Sequence, residues 1–102
     1  MSRRQKLQQM LQENPQDTFL LYALAMEDRS AGDDSAALVQ LDRVLAADPQ
    51  YVAAYFQKGQ VLAARSRFDE ARQILQEGVA IARQAGDSHA AGEMSELLST
   101  LE

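Results

Sequence analysis

A 34-residue internal repeat is the feature that most restricts what this 102-residue chain can fold into. Residues 44–51 follow the pattern of residues 10–17, and Pro49 lies 34 residues after Pro15. Two apolar series share the period: Leu7, Leu41 and Leu75, then Leu11, Leu45 and Val79. A common period for apolar positions and helix-ending prolines is typical of helical repeat arrays. The sequence therefore predicts stacked helix pairs, and it carries no strand signal.

Helical periodicity and helix-stop signals divide the chain into six predicted helices. The first three cover residues 2–13, about 18–30 and about 35–47. The fourth carries Tyr55, Gly59 and Leu62 along one face, the fifth runs to about Ala85, and the sixth carries Met94, Leu97, Leu98 and Leu101. Proline moves its preceding residue out of the helical region. Pro15 and Pro49 therefore end the first and third helices, whereas Arg83 lets the fifth continue to Gly86.

Side chains that cap helices mark the predicted turns. The predicted N-cap residues are Asp17, Asp33 or Asp34, and Asp87 or Ser88. Gly32 supplies a left-handed turn after the second helix. Ser66 stands where the repeat places that glycine, and its spacing to Asp69 predicts a capping box for the fifth helix.

Small residues occupy the positions where the two helices of a pair cross. Ala25 is expected to face Ala37, and Gly59 to face Ala71, because a large side chain would hold the backbones apart. Gly59 costs about 1 kcal/mol of helix propensity relative to alanine, which indicates a packing role. The terminal helices are expected to be the more polar ones, since terminal repeats face water.

These residues together resemble the tetratricopeptide repeat, and the chain resembles small bacterial proteins with two such repeats. Two sets of residues match the consensus of the tetratricopeptide repeat. The first set is Leu21, Leu24, Ala25, Gly32, Ala37, Leu41, Val44 and Pro49, and the second is Tyr55, Gly59, Leu62, Phe68, Ala71, Leu75 and Gly78. The resemblance implies one domain, with repeats at 18–51 and 52–85, a leading half repeat at 2–17 and a capping helix at 88–101. The implied fold is all-α, a right-handed α-solenoid of antiparallel helix pairs with six helices. Lys58 and Arg83 depart from the consensus, but neither residue breaks a helix.

Composition narrows the classes of function. The net charge of -5 repels phosphate backbones, so we expect no nucleic-acid partner. Cysteine is absent, which removes disulfides and thiol chemistry. No apolar run reaches the length that spans a bilayer, so we expect a cytoplasmic protein without a membrane partner.

Few residues carry reactive chemistry. His89 and Glu93 form at most a two-ligand pair, and a metal site needs more ligands. The acid pairs Glu27-Asp28 and Asp33-Asp34 are interpreted as solvated caps and faces. The basic residues Arg3, Arg4 and Lys6 are interpreted as a soluble end. We therefore expect no enzyme, no cofactor and no metal.

The resemblance implies a concave groove lined by the first helix of each repeat. Its implied lining is Phe19, Tyr22, Met26 and Arg29, then Ala53, Phe56, Gln60 and Ala63, with Gln57 beside them. These side chains suit an apolar helical or extended segment of a partner protein. They do not provide the Lys, Asn and Arg of the clamp by which some related domains grip a C-terminal carboxylate.

Two alternatives to this open groove remain. In the first, the terminal helices fold over the groove and make its lining part of the core. In the second, the chain forms a homodimer through the groove or through the ends of its repeats.

Overall fold

The computed structural model describes residues 1–101, and these form six α-helices with no β-strand. The helices are α1 (Arg3–Glu13), α2 (Thr18–Ser30), α3 (Asp34–Ala47), α4 (Val52–Ala64), α5 (Phe68–Gln84) and α6 (Ser88–Ser99). The predicted all-α fold with six helices is confirmed. The repeat boundaries remain a prediction.

The chain divides into two compact units, residues 1–49 and residues from 50 onward. In the first unit, α2 packs against both α1 and α3. Its buried apolar residues are Leu7, Leu11, Leu20, Leu21, Ala23, Leu24, Ala25, Ala37, Leu41 and Val44. In α1 and α3 the buried residues recur every three or four positions, so each of these helices buries one stripe. The α2 helix also buries adjacent positions and therefore a broader face, because it packs against both neighbours.

In the second unit, α4, α5 and α6 pack against one another. A methyl group at Gly59 would lie 2.6 Å from Leu75 Cγ, so only glycine lets α4 approach α5 this closely. The predicted packing role of Gly59 is confirmed, with Leu75 as its nearest neighbour. Gly78 of α5 has a similar role, since a methyl group there would lie 2.6 Å from both Tyr55 Cβ and Met94 Sδ.

Aspartate caps begin three of the helices. The backbone N–H groups of Leu20, Ala36 and Ala90 donate to Asp17, Asp33 and Asp87 at 3.1, 3.1 and 3.0 Å. These caps confirm the predictions and decide between the paired candidates, since Asp34 and Ser88 are the first residues of their helices. Ser2 caps α1 in a capping box with Gln5, which the sequence interpretation missed although Ser2 and Gln5 have the required spacing.

The turn between α4 and α5 differs from the prediction. Ser66 adopts a left-handed backbone with φ 60°, as Gly32 does at φ 79°. The N-cap of α5 is Arg67, which makes no side-chain capping hydrogen bond. The predicted capping box of Ser66 and Asp69 is therefore wrong, because Ser66 is used as the turn residue and Asp69 pairs with Arg72.

Candidate functional site

The outer side of α2 carries four of the nine predicted groove residues. Phe19, Tyr22, Met26 and Arg29 are three or four positions apart and therefore share one side of the helix. The opposite side of α2 is buried against α1 and α3. Phe19 is 71% exposed, and the other three side chains are half-buried. The exposed side of α2 is therefore rich in large apolar groups.

The outer side of α4 carries the other five predicted residues. Ala53 is exposed, while Phe56, Gln57, Gln60 and Ala63 are half-buried. Phe56 is the one large apolar side chain among them. We call these two sets the α2 face and the α4 face.

None of the nine residues belongs to the buried core. The α1 helix packs on α2 through the buried side chains of Leu7 and Leu11. The α6 helix packs on α5 and α4 through Ala91 and Met94. The terminal helices therefore do not turn the α2 face or the α4 face into core. Whether these faces bind a partner stays a prediction.

An ion pair that the sequence interpretation missed joins α1 to α2. Arg4 Nη2 lies 2.6 Å from Asp28 Oδ1, and Asp28 is 3% exposed. Beside it, Arg3 Nε lies 2.7 Å from Glu27 Oε1 at a more exposed position. The interpretation of Asp28 as a solvated acid and of Arg4 as part of a soluble end is therefore wrong. No sequence pattern links two residues so far apart on different helices.

Burial is the main influence on the Asp28 carboxyl group. It raises the pKa above its ordinary value of 3.8, Arg4 acts in the opposite direction, and the nearby charges of Asp33 and Glu27 raise the pKa further. Since the Asp28 side chain packs between helices and opens onto no described cleft, its role is to hold α1 on α2.

The only histidine lies at an exposed position on α6. His89 Nε2 lies 3.1 Å from Glu93 Oε1, and the imidazole side chain is 87% exposed. No group of three or more His, Cys, Asp or Glu side chains among residues 1–101 is placed to hold a metal ion. The geometry is that of a surface i, i+4 pair.

Two clefts lie away from the predicted groove residues. One, of about 200 Å³, lies between α4 and α5 and is lined by Lys58, Leu62, Glu70, Gln73, Ile74 and Glu77. The other, of about 380 Å³, is lined by Pro15, Gln16, Leu21, Arg43, Ala46 and Ala47. A hydrogen bond from Arg67 holds the pKa of Glu70 below its ordinary value, so this carboxylate is ionised at neutral pH. Neither cleft brings a nucleophile together with a base.

No helix among residues 1–101 is long and apolar enough to cross a membrane.

Helix pairs that recur at 34 residues, with small side chains where the helices touch, define a helical-repeat protein.

A model of the tetratricopeptide repeat family matches residues 29–95, and the chain belongs to this family. A TPR repeat-containing protein of Pseudomonas aeruginosa is 31% identical over 96 residues, which are 94% of this chain and 91% of that protein. The family consists of protein-interaction modules that are generally non-enzymatic and bind other proteins or peptides.

Solved structures resemble the chain over most of its length. A tetratricopeptide repeat domain protein of Salinibacter ruber, solved by NMR, matches with a TM-score of 0.81 at 30% identity, covering 86% of this chain and 89% of that one. The TPR2B domain of yeast Sti1, solved in a complex with pHsp70, matches with a TM-score of 0.89 at 17% identity, covering 96% of this chain and 78% of that one. The second likeness concerns the fold alone.

Proposed function

We propose that this chain is a non-enzymatic interaction module that holds an apolar helical or extended segment of a partner protein on its α2 and α4 faces. The residues proposed to contact the partner are Phe19, Tyr22, Met26, Arg29, Ala53, Phe56, Gln57, Gln60 and Ala63. Family membership supports binding of another protein, and these faces are where we place it.

The observation that carries the proposal is the exposure of Phe19 beside Tyr22 and Met26. An aromatic side chain that is 71% exposed on a rigid helix forgoes the burial that drives folding. Covering such a side chain with a partner releases about 1.5–3 kcal/mol. Aromatic residues are common among the side chains that dominate binding energy, and methionine adapts to partners of different shape.

The charge of the two faces sets the chemistry of the partner segment. Arg29 is the only charged residue among the nine. Apolar contacts rather than ion pairs therefore supply the binding energy, and the partner segment carries apolar side chains along one side. Since salt screens charge pairs but leaves apolar burial largely intact, ionic strength has little effect on this affinity.

Capture of partner proteins from a lysate of the source organism tests the proposal. The variant carrying Phe19→Ser, Tyr22→Ser and Phe56→Ser is expected to lose a partner that the wild type retains. Val39→Ser is the matched control, because Val39 is an exposed apolar residue on α3, outside both faces. Circular dichroism checks that all proteins keep their helices. Equal capture by the folded triple variant would contradict the proposed site.

Calorimetry with the captured segment made as a synthetic peptide tests the chemistry. Binding to the wild type is expected to show a negative heat-capacity change, which marks burial of apolar surface. Its affinity is expected to change little between low and high salt. A steep loss of affinity with salt would instead indicate an interface built on ion pairs.

A further inference from the structure

The α2 and α4 faces place their side chains at the same intervals along the helix. On α2 the four residues from Phe19 to Arg29 are separated by three, four and three positions, and the same steps recur on α4 from Ala53 to Ala63. Alternating steps of three and four give an average interval of about 3.5 residues, at which two helices lying along each other stay in contact. Each face therefore has the spacing of a surface that packs against a helix.

This interval distinguishes a helical partner from an extended one. Side chains on the α2 face follow one another about every 5 Å, and Phe19 to Arg29 spans about 15 Å, because a helix rises about 1.5 Å per residue. A partner helix with the same spacing keeps its side chains in step over this whole length. Residues on one side of an extended segment lie about 6.6 Å apart, so after three steps they are out of step with the α2 face by about 5 Å.

Hydrogen bonding also favours a helix. The polar side chains of the two faces each take part already in an interaction within the chain: Tyr22, Arg29, Gln57 and Gln60. Residues 1–101 contain no strand whose edge an extended segment could join. An extended segment that covered these faces would leave backbone N–H and C=O groups without partners, which opposes binding. A helix bonds its own backbone and presents only side chains.

The charge of the α2 face adds one requirement. Glu27 and Asp28 are the acids of α2, and they pair with Arg3 and Arg4 of α1. Arg29, at the opposite end from Phe19, is the one charged residue of the α2 face. Since like charges brought together oppose binding, the partner carries an acid and not a base at that end.

We propose that the partner segment is an amphipathic α-helix of about three turns that lies along α2. Its apolar residues are spaced by three and four positions, and an acid lies opposite Arg29. The inference rests on the proposed function, since it concerns the same α2 face. Of the two kinds of segment that the proposed function allows, it selects the helix.

Selection from a library of random peptides tests the inference. Peptides of about 16 residues are long enough for four helical turns. The wild type is the target, and a variant carrying Phe19→Ser, Tyr22→Ser and Met26→Ser removes peptides that bind elsewhere. Enriched peptides are expected to carry apolar residues at steps of three and four, and to gain helical circular dichroism on binding.

Three further targets serve as controls for the selection. Phe19→Ser alone changes a residue that is 71% exposed, so it repeats the test without risk to the fold. Val39→Ser is expected to enrich the same peptides as the wild type, because Val39 lies outside both faces. Arg29→Glu is expected to replace the enriched acid by lysine or arginine.

Proline substitution in one enriched peptide separates a bound helix from a bound extended segment. Proline at the centre of the peptide, on its polar side, is expected to weaken binding about 100-fold, because it breaks a helix. Proline in the first turn is the matched control, since helices tolerate it there. An extended segment would respond alike to both substitutions.

The outcomes distinguish this inference from the proposed function. Peptides that bind the α2 face but tolerate the central proline overturn the inference and leave the proposed function intact. Acids enriched equally by the Arg29→Glu target overturn the pairing with Arg29. If the wild type enriches no peptide over the folded serine variants, the α2 face binds no apolar segment, and both proposals fail.

Discussion

Arg4 and Asp28 form an ion pair of 2.6 Å that fastens α1 to α2 beneath the surface of the first unit. The Asp28 side chain is 4% exposed and the Arg4 side chain is 35% exposed, so the carboxylate is buried while the guanidinium group is in contact with solvent. A buried charge is tolerated when a partner of opposite charge bonds to it. The neighbouring Arg3–Glu27 pair joins the same types of charged group at a more exposed position. It therefore serves as the reference for the effect of burial on the Arg4–Asp28 pair.

Removing the guanidinium group is expected to destabilise the protein. Arg4→Ala leaves the Asp28 carboxylate buried without its cation, and we expect a loss of about 2 kcal/mol in the free energy of unfolding. Arg3→Ala removes an exposed pair and is expected to cost below about 1 kcal/mol. Urea unfolding at neutral pH measures both. Equal losses would mean that the burial of Asp28 has no energetic importance.

The pH dependence of stability follows from the raised pKa of Asp28. Between the ordinary value of 3.8 and the folded value, the folded state binds more protons than the unfolded state. The free energy of unfolding contributed by this group is therefore fully present below 3.8 and is lost as pH rises through the folded pKa. Asp28→Asn is expected to abolish this decline. NMR titration of the carboxyl carbon gives the pKa directly, and a value below 3.8 would show that Arg4 outweighs burial.

The same glycine-to-alanine change is expected to have opposite effects on two helices. Gly59→Ala forces a methyl group against Leu75 and is expected to destabilise by about 1–3 kcal/mol, despite the better helix propensity. At Gly92 an added methyl group meets no atom within 4 Å. Gly92→Ala is therefore expected to stabilise by about 1 kcal/mol. Thermal unfolding followed by circular dichroism compares them, and a stabilised Gly59→Ala would refute the close contact of α4 with α5.

Ser66 is expected to be the wrong residue for its backbone conformation. Holding a non-glycine residue at φ 60° costs roughly 1–2 kcal/mol. Glycine avoids this strain, but its greater conformational freedom in the unfolded chain cancels part of the gain. Ser66→Gly should therefore raise the free energy of unfolding by about 0.5–1 kcal/mol. Gly32→Ser at the equivalent turn should lower it by a similar amount. If both changes have no effect in chemical denaturation, these turns impose no strain.

The helices were accessible from the sequence because local signals fix them. Proline, glycine and aspartate act within a few residues of where they stand, so Pro15, Gly86 and Asp17 gave boundaries that the structure confirms. The prediction for Ser66 was wrong because its position fits both a left-handed turn residue and a helix N-cap. Only the packing of α4 on α5 decides between these two roles.

Features that depend on distant partners were not accessible. In the sequence, Asp28 cannot be distinguished from a surface acid, because its partner Arg4 lies on a different helix. For the α2 face, the periodicity of α2 places Phe19, Tyr22 and Met26 on one side. How far each is exposed depends on the neighbouring side chains, which no single stretch of sequence contains.

The contact of Gly78 with Tyr55 makes the surfaces of α4 and α5 specific to each other. A chimera that joined α4 to α3 would bring Val44 to the place of Gly78, and its side chain would collide with the tyrosine ring. Replacing α5 by α3 is therefore expected to disrupt this packing, whereas moving α4 and α5 together keeps the contact of Gly78 with Tyr55. Because Gly78 also lies against Met94, α6 has to move with them.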